Sequence, residues 1–187
     1  MKFQTAVTMS GQRQNKGLSI REIAVFAMLG TIMFLSKLVM EFLPNIHLVG
    51  TLTVVYTLVY RKKALIPIYL FAFLAGVYGG FNLWWMPYLY IWTILWGAVM
   101  LLPKNMSKRA RYIVYPTVSA IHGLLYGILY APGQALMFKL DFAQTIAWII
   151  KGFSFDIIHC IGNLTLGFLI PILSELLTKL SKQYRII

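Results

Sequence analysis

Long apolar stretches, separated by clusters of lysine and arginine, limit what this sequence can fold into. They cover residues 23–42, 48–60, 64–81, 88–102, 112–130 and 142–177. Apolar residues make up 59% of the 187 residues and charged residues only 12%, against about 45–50% and about 25% in an ordinary soluble domain. A helix that crosses a bilayer needs about 20 residues of this kind. The sequence therefore predicts an all-α integral membrane protein with six transmembrane helices.

The last apolar stretch is too long for a single crossing. Three polar side chains interrupt it, at Lys151, Asp156 and His159. We expect residues 142–150 to form a short interfacial helix and residues 153–177 to form the sixth span.

The basic residues orient these spans. With both termini in the cytoplasm, 14 of the 17 lysines and arginines lie on the cytoplasmic side, and only Lys37, Lys139 and Lys151 lie outside. Membrane proteins show this bias, because basic loops stay in the cytoplasm. Topology therefore explains the net charge of +12 better than nucleic-acid binding does. We expect residues 1–18 to be a flexible cytoplasmic tail, residues 19–180 the transmembrane domain and residues 181–187 a second cytoplasmic tail.

Polar residues at membrane depth concentrate near the predicted outer side. Asp156, His159 and Asn163 follow i, i+3, i+7 spacing, which places them on one face of the sixth span. Ionisable residues inside a span are costly and usually functional. Two interpretations are open: the face is the wall of a solute site, or it is a polar seam bonded to neighbouring helices. We favour the wall, because aromatic and polar loop residues converge on the same side.

The candidate substrate-binding residues are polar or aromatic and are predicted near that outer side. They are Lys37, Glu41, Asn45, His47, Asn82, Trp84, Trp85, Tyr88, Tyr126, Lys151, Asp156, His159 and Asn163. An interfacial belt is the alternative interpretation of the tryptophans and tyrosines, because both residue types are enriched at membrane surfaces.

A patch of small residues marks the cytoplasmic half of the first span: Ala24, Ala27, Gly30 and Thr31. Small side chains let helix backbones approach closely in lipid. The patch is therefore either a packing face inside the bundle or a docking face for another membrane subunit.

Signatures of enzymes and resident cofactors are absent from the sequence. It contains no H-E-x-x-H, no G-x-S-x-G and no G-x-x-x-x-G-K-[ST] motif, and Cys160 is the only cysteine. We predict no catalytic activity, no cofactor and no metal site. Without a phosphate-binding loop, the chain cannot hydrolyse ATP by a P-loop mechanism.

Four features carry a resemblance to a known family: the six-span plan, the chain length, the small patch on the first span and the outer loop Glu-Phe-Leu-Pro-Asn-Ile-His at 41–47. In these features the chain resembles the substrate-binding S component of energy-coupling factor (ECF) transporters. Many S components carry Ala-x-x-x-Ala on the first span, where this chain has Ala27-x-x-x-Thr31. The resemblance implies a multi-pass protein of a prokaryotic plasma membrane. It would capture a water-soluble vitamin outside with high affinity, and dock on a transmembrane coupling subunit that carries two cytosolic ATPases.

The sequence leaves the vitamin and two other functions open. Tryptophan and tyrosine favour a ring-bearing ligand, with cobalamin slightly preferred over queuosine precursors, pyridoxine and pantothenate. The alternative functions are an autonomous small permease or channel, and a membrane assembly factor that transports nothing. The expected partners are the vitamin, the coupling subunit with its two ATPases, and the lipid bilayer. Nucleic acid is not expected as a partner.

Overall fold

The computed structural model describes residues 17–187, and every regular element in that range is a helix. In chain order the helices are α1 Ile20–Val39, α2 Val49–Tyr60, α3 Leu65–Gly79, α4 Tyr88–Leu101, α5 Lys108–Leu124, α6 Tyr126–Phe138, α7 Phe142–Gly167 and α8 Ile170–Gln183. Two single 3-10 turns precede α3 and α4, at Arg61–Ala64 and Leu83–Trp85. The all-α prediction is confirmed for this range, whereas nearly all of the predicted tail at 1–18 lies outside it.

Three helical segments are long and apolar enough to cross a membrane: Ile20–Val39, Lys108–Phe138 and Phe142–Gly167. Many large apolar side chains on the helices are also exposed, for example Met28 at 62% and Ile161 at 59%. A soluble monomer rarely exposes apolar surface on this scale, so these features indicate a membrane protein. The predicted second, third and fourth spans correspond to the shorter helices α2, α3 and α4, and the six-span topology stays a prediction.

The last apolar stretch divides at a different place from the one we expected. α7 runs without a break through Lys151 and ends at Gly167, so the separate interfacial helix at 142–150 is wrong. Asp141 starts α7 with a capping box, in which its side chain accepts from the backbone N–H of Gln144. Pro171 lies at the start of α8. Because proline has no N–H to donate to the carbonyl four residues earlier, the helix breaks just before it.

α2 is the central helix of the bundle. It contacts α1, α4, α5, α7 and α8, and nearly all its side chains are buried. The Thr53 and Thr57 hydroxyls donate to backbone carbonyls one turn earlier, and the Tyr56 hydroxyl donates to the Leu29 carbonyl at 3.0 Å. These bonds satisfy three hydroxyl groups that the core encloses, whereas the buried Thr51 hydroxyl has no partner within residues 17–187. A helix covered on all sides by its neighbours can be shorter than one exposed to lipid.

Glycines bring α5 and α7 into close contact. A Cβ atom added at Gly167 would lie 2.7 Å from the Cα of Pro116 on α5, and one added at Gly123 would lie 2.9 Å from the carbonyl oxygen of His159 on α7. Such distances are tighter than ordinary packing of a side chain permits. The small residues of the predicted fifth span therefore serve packing inside the bundle.

The bundle has one basic end, formed by the start of α1, the α2–α3 junction, the α4–α5 loop and the end of α8. There Lys63 pairs with Glu22, Arg61 donates to the Met100 carbonyl at 3.1 Å, and the Tyr60 and Ser181 hydroxyls lie 2.6 Å apart. At the opposite end α1 stops and α2 begins, the α3–α4 loop contacts α6, and α6 packs against α7. The only basic residues at that end of residues 17–187 are Lys37, Lys139 and Lys151.

Candidate functional site

A cavity of about 330 Å³ opens at the end of the bundle opposite the basic end; we call it the upper cavity. Its walls come from the α1–α2 loop, the turn before α4, and helices α1, α4, α6 and α7. Eight of the thirteen predicted binding residues line it: Lys37, Glu41, Asn45, His47, Trp84, Tyr88, Tyr126 and His159. Its volume is in the range of small-molecule sites, about 300–1,000 Å³. The sequence-predicted residues thus converge on one space.

A smaller cavity of about 230 Å³ adjoins the upper cavity along α7. The two share four lining residues, Asn45, Tyr126, Tyr130 and His159. The smaller cavity adds Asp156 and Trp148 to its wall. His159 therefore faces both spaces, and Asp156 faces only the smaller one.

The α1–α2 loop covers the upper cavity through a series of tight turns. The N–H of Leu43 donates to the Met40 carbonyl at 2.9 Å, and that of Ile46 donates to the Leu43 carbonyl at 3.2 Å. Asn45 adopts a positive φ of 60°, a conformation that asparagine tolerates better than most residues. The loop thereby carries Asn45 and His47 onto the cavity wall.

Aromatic and imidazole rings form a continuous cluster beneath this loop. The rings of His47 and His159 have centroids 5.1 Å apart, and those of Tyr126 and His159 are 4.9 Å apart. Trp92 lies below, with centroids 5.8 Å from His122 and 6.3 Å from His47. The planar faces and edges of such a cluster suit the packing of another ring.

Five buried polar atoms around this cluster have no hydrogen-bond partner within residues 17–187. They are His47 Nδ1, Trp92 Nε1, His122 Nδ1, Asp156 Oδ2 and His159 Nε2. Buried polar groups in folded proteins are nearly always bonded to protein, water or ligand. Three more such atoms, Thr51 Oγ1, Ser119 Oγ and Asn163 Oδ1, belong to residues that border neither cavity. A polar solute or ordered water in the cavities would satisfy the atoms at their walls.

His47 is held in its neutral form. Burial lowers the pKa of His47 to about 4, and the nearby ammonium group of Lys37 contributes to the shift. A neutral imidazole has one donor nitrogen and one acceptor nitrogen. At neutral pH His47 therefore presents a polar but uncharged group at the cavity wall.

The three polar residues of α7 fall into different surroundings. The Asn163 side chain is fully buried, borders neither cavity, and donates to the Ser119 carbonyl at 3.1 Å. Asp156 accepts from the backbone N–H of Gly127 at 3.0 Å, beside the break between α5 and α6. The seam interpretation thus describes Asn163, the wall interpretation describes His159, and Asp156 belongs to both.

Three further predicted residues line neither cavity. Trp85 donates its indole N–H to the Ala72 carbonyl at 2.6 Å and packs against Phe81, so it ties the α3–α4 loop to α3. Asn82 is exposed in that loop, and Lys151 is exposed on α7. Together with Asn163, these residues lie outside both cavities, and a role for them in binding stays a prediction.

Sequence reasoning missed two aromatic residues of the site. Tyr130 lines both cavities, its hydroxyl donates to the Trp84 carbonyl, and its ring stacks on Trp148. Because Tyr126 and Tyr130 are four residues apart, they share a helix face, which is a usable signal. Trp148 lines the smaller cavity but falls in the stretch predicted as a separate interfacial helix, so no pattern in the sequence placed it there.

The structure divides the small patch on α1. Gly30 is buried, and a Cβ added there would lie 2.8 Å from the Leu70 side chain of α3, so this glycine serves packing inside the bundle. Ala24, Ala27 and Thr31 are exposed. The Thr31 hydroxyl donates to the Ala27 carbonyl at 2.9 Å, which leaves a shallow face with no free polar group.

Within residues 17–187, no group of three histidine, cysteine, aspartate or glutamate side chains is arranged to hold a metal ion. No protein family, curated protein or solved structure matches this chain. The site itself is therefore the basis for a functional conclusion.

Proposed function

We propose that this chain is the solute-binding subunit of an ECF-type importer, and that the upper cavity captures a ring-bearing vitamin or precursor. One observation carries the proposal: His47 and His159, which line a cavity walled by aromatic rings, each keep a buried polar atom without a partner within residues 17–187. A protein that keeps such groups without partners loses stability. A ligand with ring faces and a few polar atoms would compensate them.

Size and charge narrow the class of solute. A cavity of about 330 Å³ suits a vitamin with one or two rings better than cobalamin, whose macrocycle and nucleotide loop need far more room. Lys37 and Glu41 are the charged residues on the cavity wall, and both belong to the α1 end of the site. We therefore expect a flat, largely uncharged ring system with a single anionic or zwitterionic substituent.

In this proposal the basic end faces the cytoplasm and six spans cross the membrane, with the upper cavity open to the outside. The positive-inside bias supports that orientation. The chain has no nucleotide-binding motif, so a coupling subunit with two ATPases would supply the energy. The exposed small face of Ala24, Ala27 and Thr31 is where we place that subunit, because small residues allow helices to approach closely in lipid.

The binding step is tested by identifying what the protein retains. The chain is purified in mild detergent from prokaryotic cells, and small molecules are extracted and identified by mass spectrometry. We expect one ring-bearing solute at near-equimolar amounts. His159→Phe should lose it, because the ring stays but both nitrogens go, whereas Lys151→Gln should retain it, because Lys151 borders neither cavity. Loss of the solute in both variants, or in neither, would contradict the assignment of the cavity.

The docking step needs a separate experiment. Ala27→Trp should abolish copurification with a coexpressed coupling subunit and its ATPases, while leaving the retained solute unchanged. Ile161→Trp is the control, since Ile161 is also exposed but lies on α7. Uptake into liposomes by the isolated chain would instead identify an autonomous permease. Stable complexes in the absence of any retained solute would favour an assembly factor.

A further inference from the structure

A second and larger cavity, of about 650 Å³, lies at the basic end, far from the proposed solute site; we call it the basic-end cavity. The end of α2, the α4–α5 loop, α5 and α8 enclose it. Five cationic side chains line it, accompanied by the single carboxylate of Glu175. The cations are Arg61, Lys104, Arg111, Lys179 and Lys182.

The charge in this cavity is poorly compensated by the protein. The whole chain has five acidic residues, and of these only Glu22 and Glu175 lie at the basic end. Glu22 pairs with Lys63, outside the cavity. Glu175 lies 3.9 Å from the Arg111 guanidinium, and its side chain is 62% exposed, so the attraction is weak. Most of the positive charge therefore lacks a counterion within residues 17–187.

Two of the cations are held in fixed orientations. A terminal guanidinium nitrogen of Arg61 donates to the Met100 carbonyl at 3.1 Å, and Nε of Arg111 donates to the Met106 carbonyl at 3.1 Å. Each guanidinium carries five N–H donors in a planar fork. Anchoring one of them leaves the others oriented for a bidentate contact with a phosphate group.

The same cavity has an apolar side. Leu58 and Val59, in the last turn of α2, and Leu102, just after α4, line it together with the cations. The cavity thus offers a cationic region next to a group of apolar side chains. A free inorganic anion would use only the first of these, whereas a molecule with an anionic head and a hydrocarbon chain would use both.

We propose that the basic-end cavity binds an anionic glycerophospholipid. The phosphate of its headgroup lies among Arg61, Arg111, Lys179 and Lys182, and its acyl chain follows Leu58 and Val59. Basic pockets between membrane helices on the cytoplasmic side bind acidic lipids in this way. The inference is independent of the solute site and concerns how the basic end is fixed at the membrane surface.

The test uses the full chain in a neutral detergent. Phosphatidylglycerol, phosphatidylcholine, glycerol phosphate and a soluble penta-glutamate peptide are added separately, and lipid adducts are counted by native mass spectrometry alongside the melting temperature. We expect phosphatidylglycerol alone to form a one-to-one adduct and to raise the melting temperature. Lys179→Gln with Lys182→Gln should weaken that adduct about 30-fold, and the corresponding Lys→Arg pair should retain it.

The matched control is Lys62→Gln with Lys108→Gln, which removes the same charge from the same end but outside the cavity. An equal loss in this control would show attraction by diffuse charge and overturn the proposal. Equal binding of phosphatidylcholine would overturn it as well. A shift with glycerol phosphate as large as with the lipid would assign the cavity to a soluble phosphate, and a response to the acidic peptide alone would assign it to a protein segment.

Discussion

The two halves of α7 carry similar polar side chains on one helix face but place them in different surroundings. In the upper half, Asp156 and His159 border cavities and keep unpartnered polar atoms. In the lower half, Asn163 borders neither cavity. Its amide nitrogen donates to the Ser119 carbonyl, its Oδ1 has no partner within residues 17–187, and Gly167 lies against the backbone of Pro116. Helical spacing determines which residues share a face. Whether they bind a solute or seal a seam depends on how closely the facing helix approaches.

The break between α5 and α6 separates these two regimes. Below it, Gly123 lets the α5 backbone reach α7. Above it, Tyr126 and Tyr130 line the cavities beside α7. The N–H of Gly127, in the first turn of α6, donates to Asp156. Asp156 therefore contributes to stability as well as to the wall, and its truncation should cost stability even without solute.

The largest expected effect is in the lower half. Gly167→Leu should destabilise the protein by at least about 3 kcal/mol, or prevent folding, because the new side chain would collide with backbone atoms of Pro116. Gly152→Leu is the control on the same helix, since a Cβ there meets nothing within 4 Å. Yield and melting temperature in detergent measure the difference. Equal tolerance of both would mean that α5 and α7 are not in close contact.

Asn163→Ala is expected to come next. It leaves the buried Ser119 carbonyl without its donor, at a cost of about 1–3 kcal/mol. Because Asn163 borders neither cavity, the fall in melting temperature should be the same with and without saturating solute. If the melting temperature fell only in the solute-bound state, Asn163 would belong to the binding wall, and the two halves of α7 would not differ in the way described.

The upper half should also be sensitive to pH through His47, whose ring lies against His159. In the unfolded chain His47 takes up a proton near pH 6.5, whereas its pKa in the folded protein is about 4. Between these values the unfolded state binds more protons, so the free energy of unfolding falls as the pH falls, by up to about 1.4 kcal/mol per pH unit. When the pH is lowered from 7 to 5, the melting temperature should fall less in His47→Gln than in the unmodified protein or in Asn163→Ala. Identical pH dependence in all three would contradict a neutral, buried His47.

The smallest effect on the solute-free protein is expected for His159→Phe. The phenyl ring keeps the contact with Tyr126, and Nε2 of His159 has no protein partner to lose. The free energy of unfolding of the solute-free protein should therefore change by less than about 1 kcal/mol, with a correspondingly small shift in melting temperature. The added stability that bound solute provides should disappear, since that increment follows affinity by mass action. A large loss without solute would show that His159 belongs to the structural seam.

Composition and spacing along the chain were enough to predict the helical class, the apolar segments and the grouping of most binding candidates at one end of the bundle. These follow from composition and from the 3.6-residue period, which depend only on local order along the chain. The break between α7 and α8 lies just before Pro171, which is a local signal. The prediction instead placed the break near Lys151, because polar residues interrupt the apolar stretch there. Tyr130 was also within reach, as the residue one turn beyond Tyr126.

Which of those residues face a cavity depends on tertiary contacts. Trp84 and Trp85 are neighbours in sequence, yet the first lines the upper cavity and the second bonds to the Ala72 carbonyl. Gly30 packs on α3, while Ala27, three residues away, is exposed. The spacing of residues along a helix or loop shows which side chains share a side, but not which side is covered. The side that is covered is fixed by distances between segments far apart in the chain, which no local spacing contains.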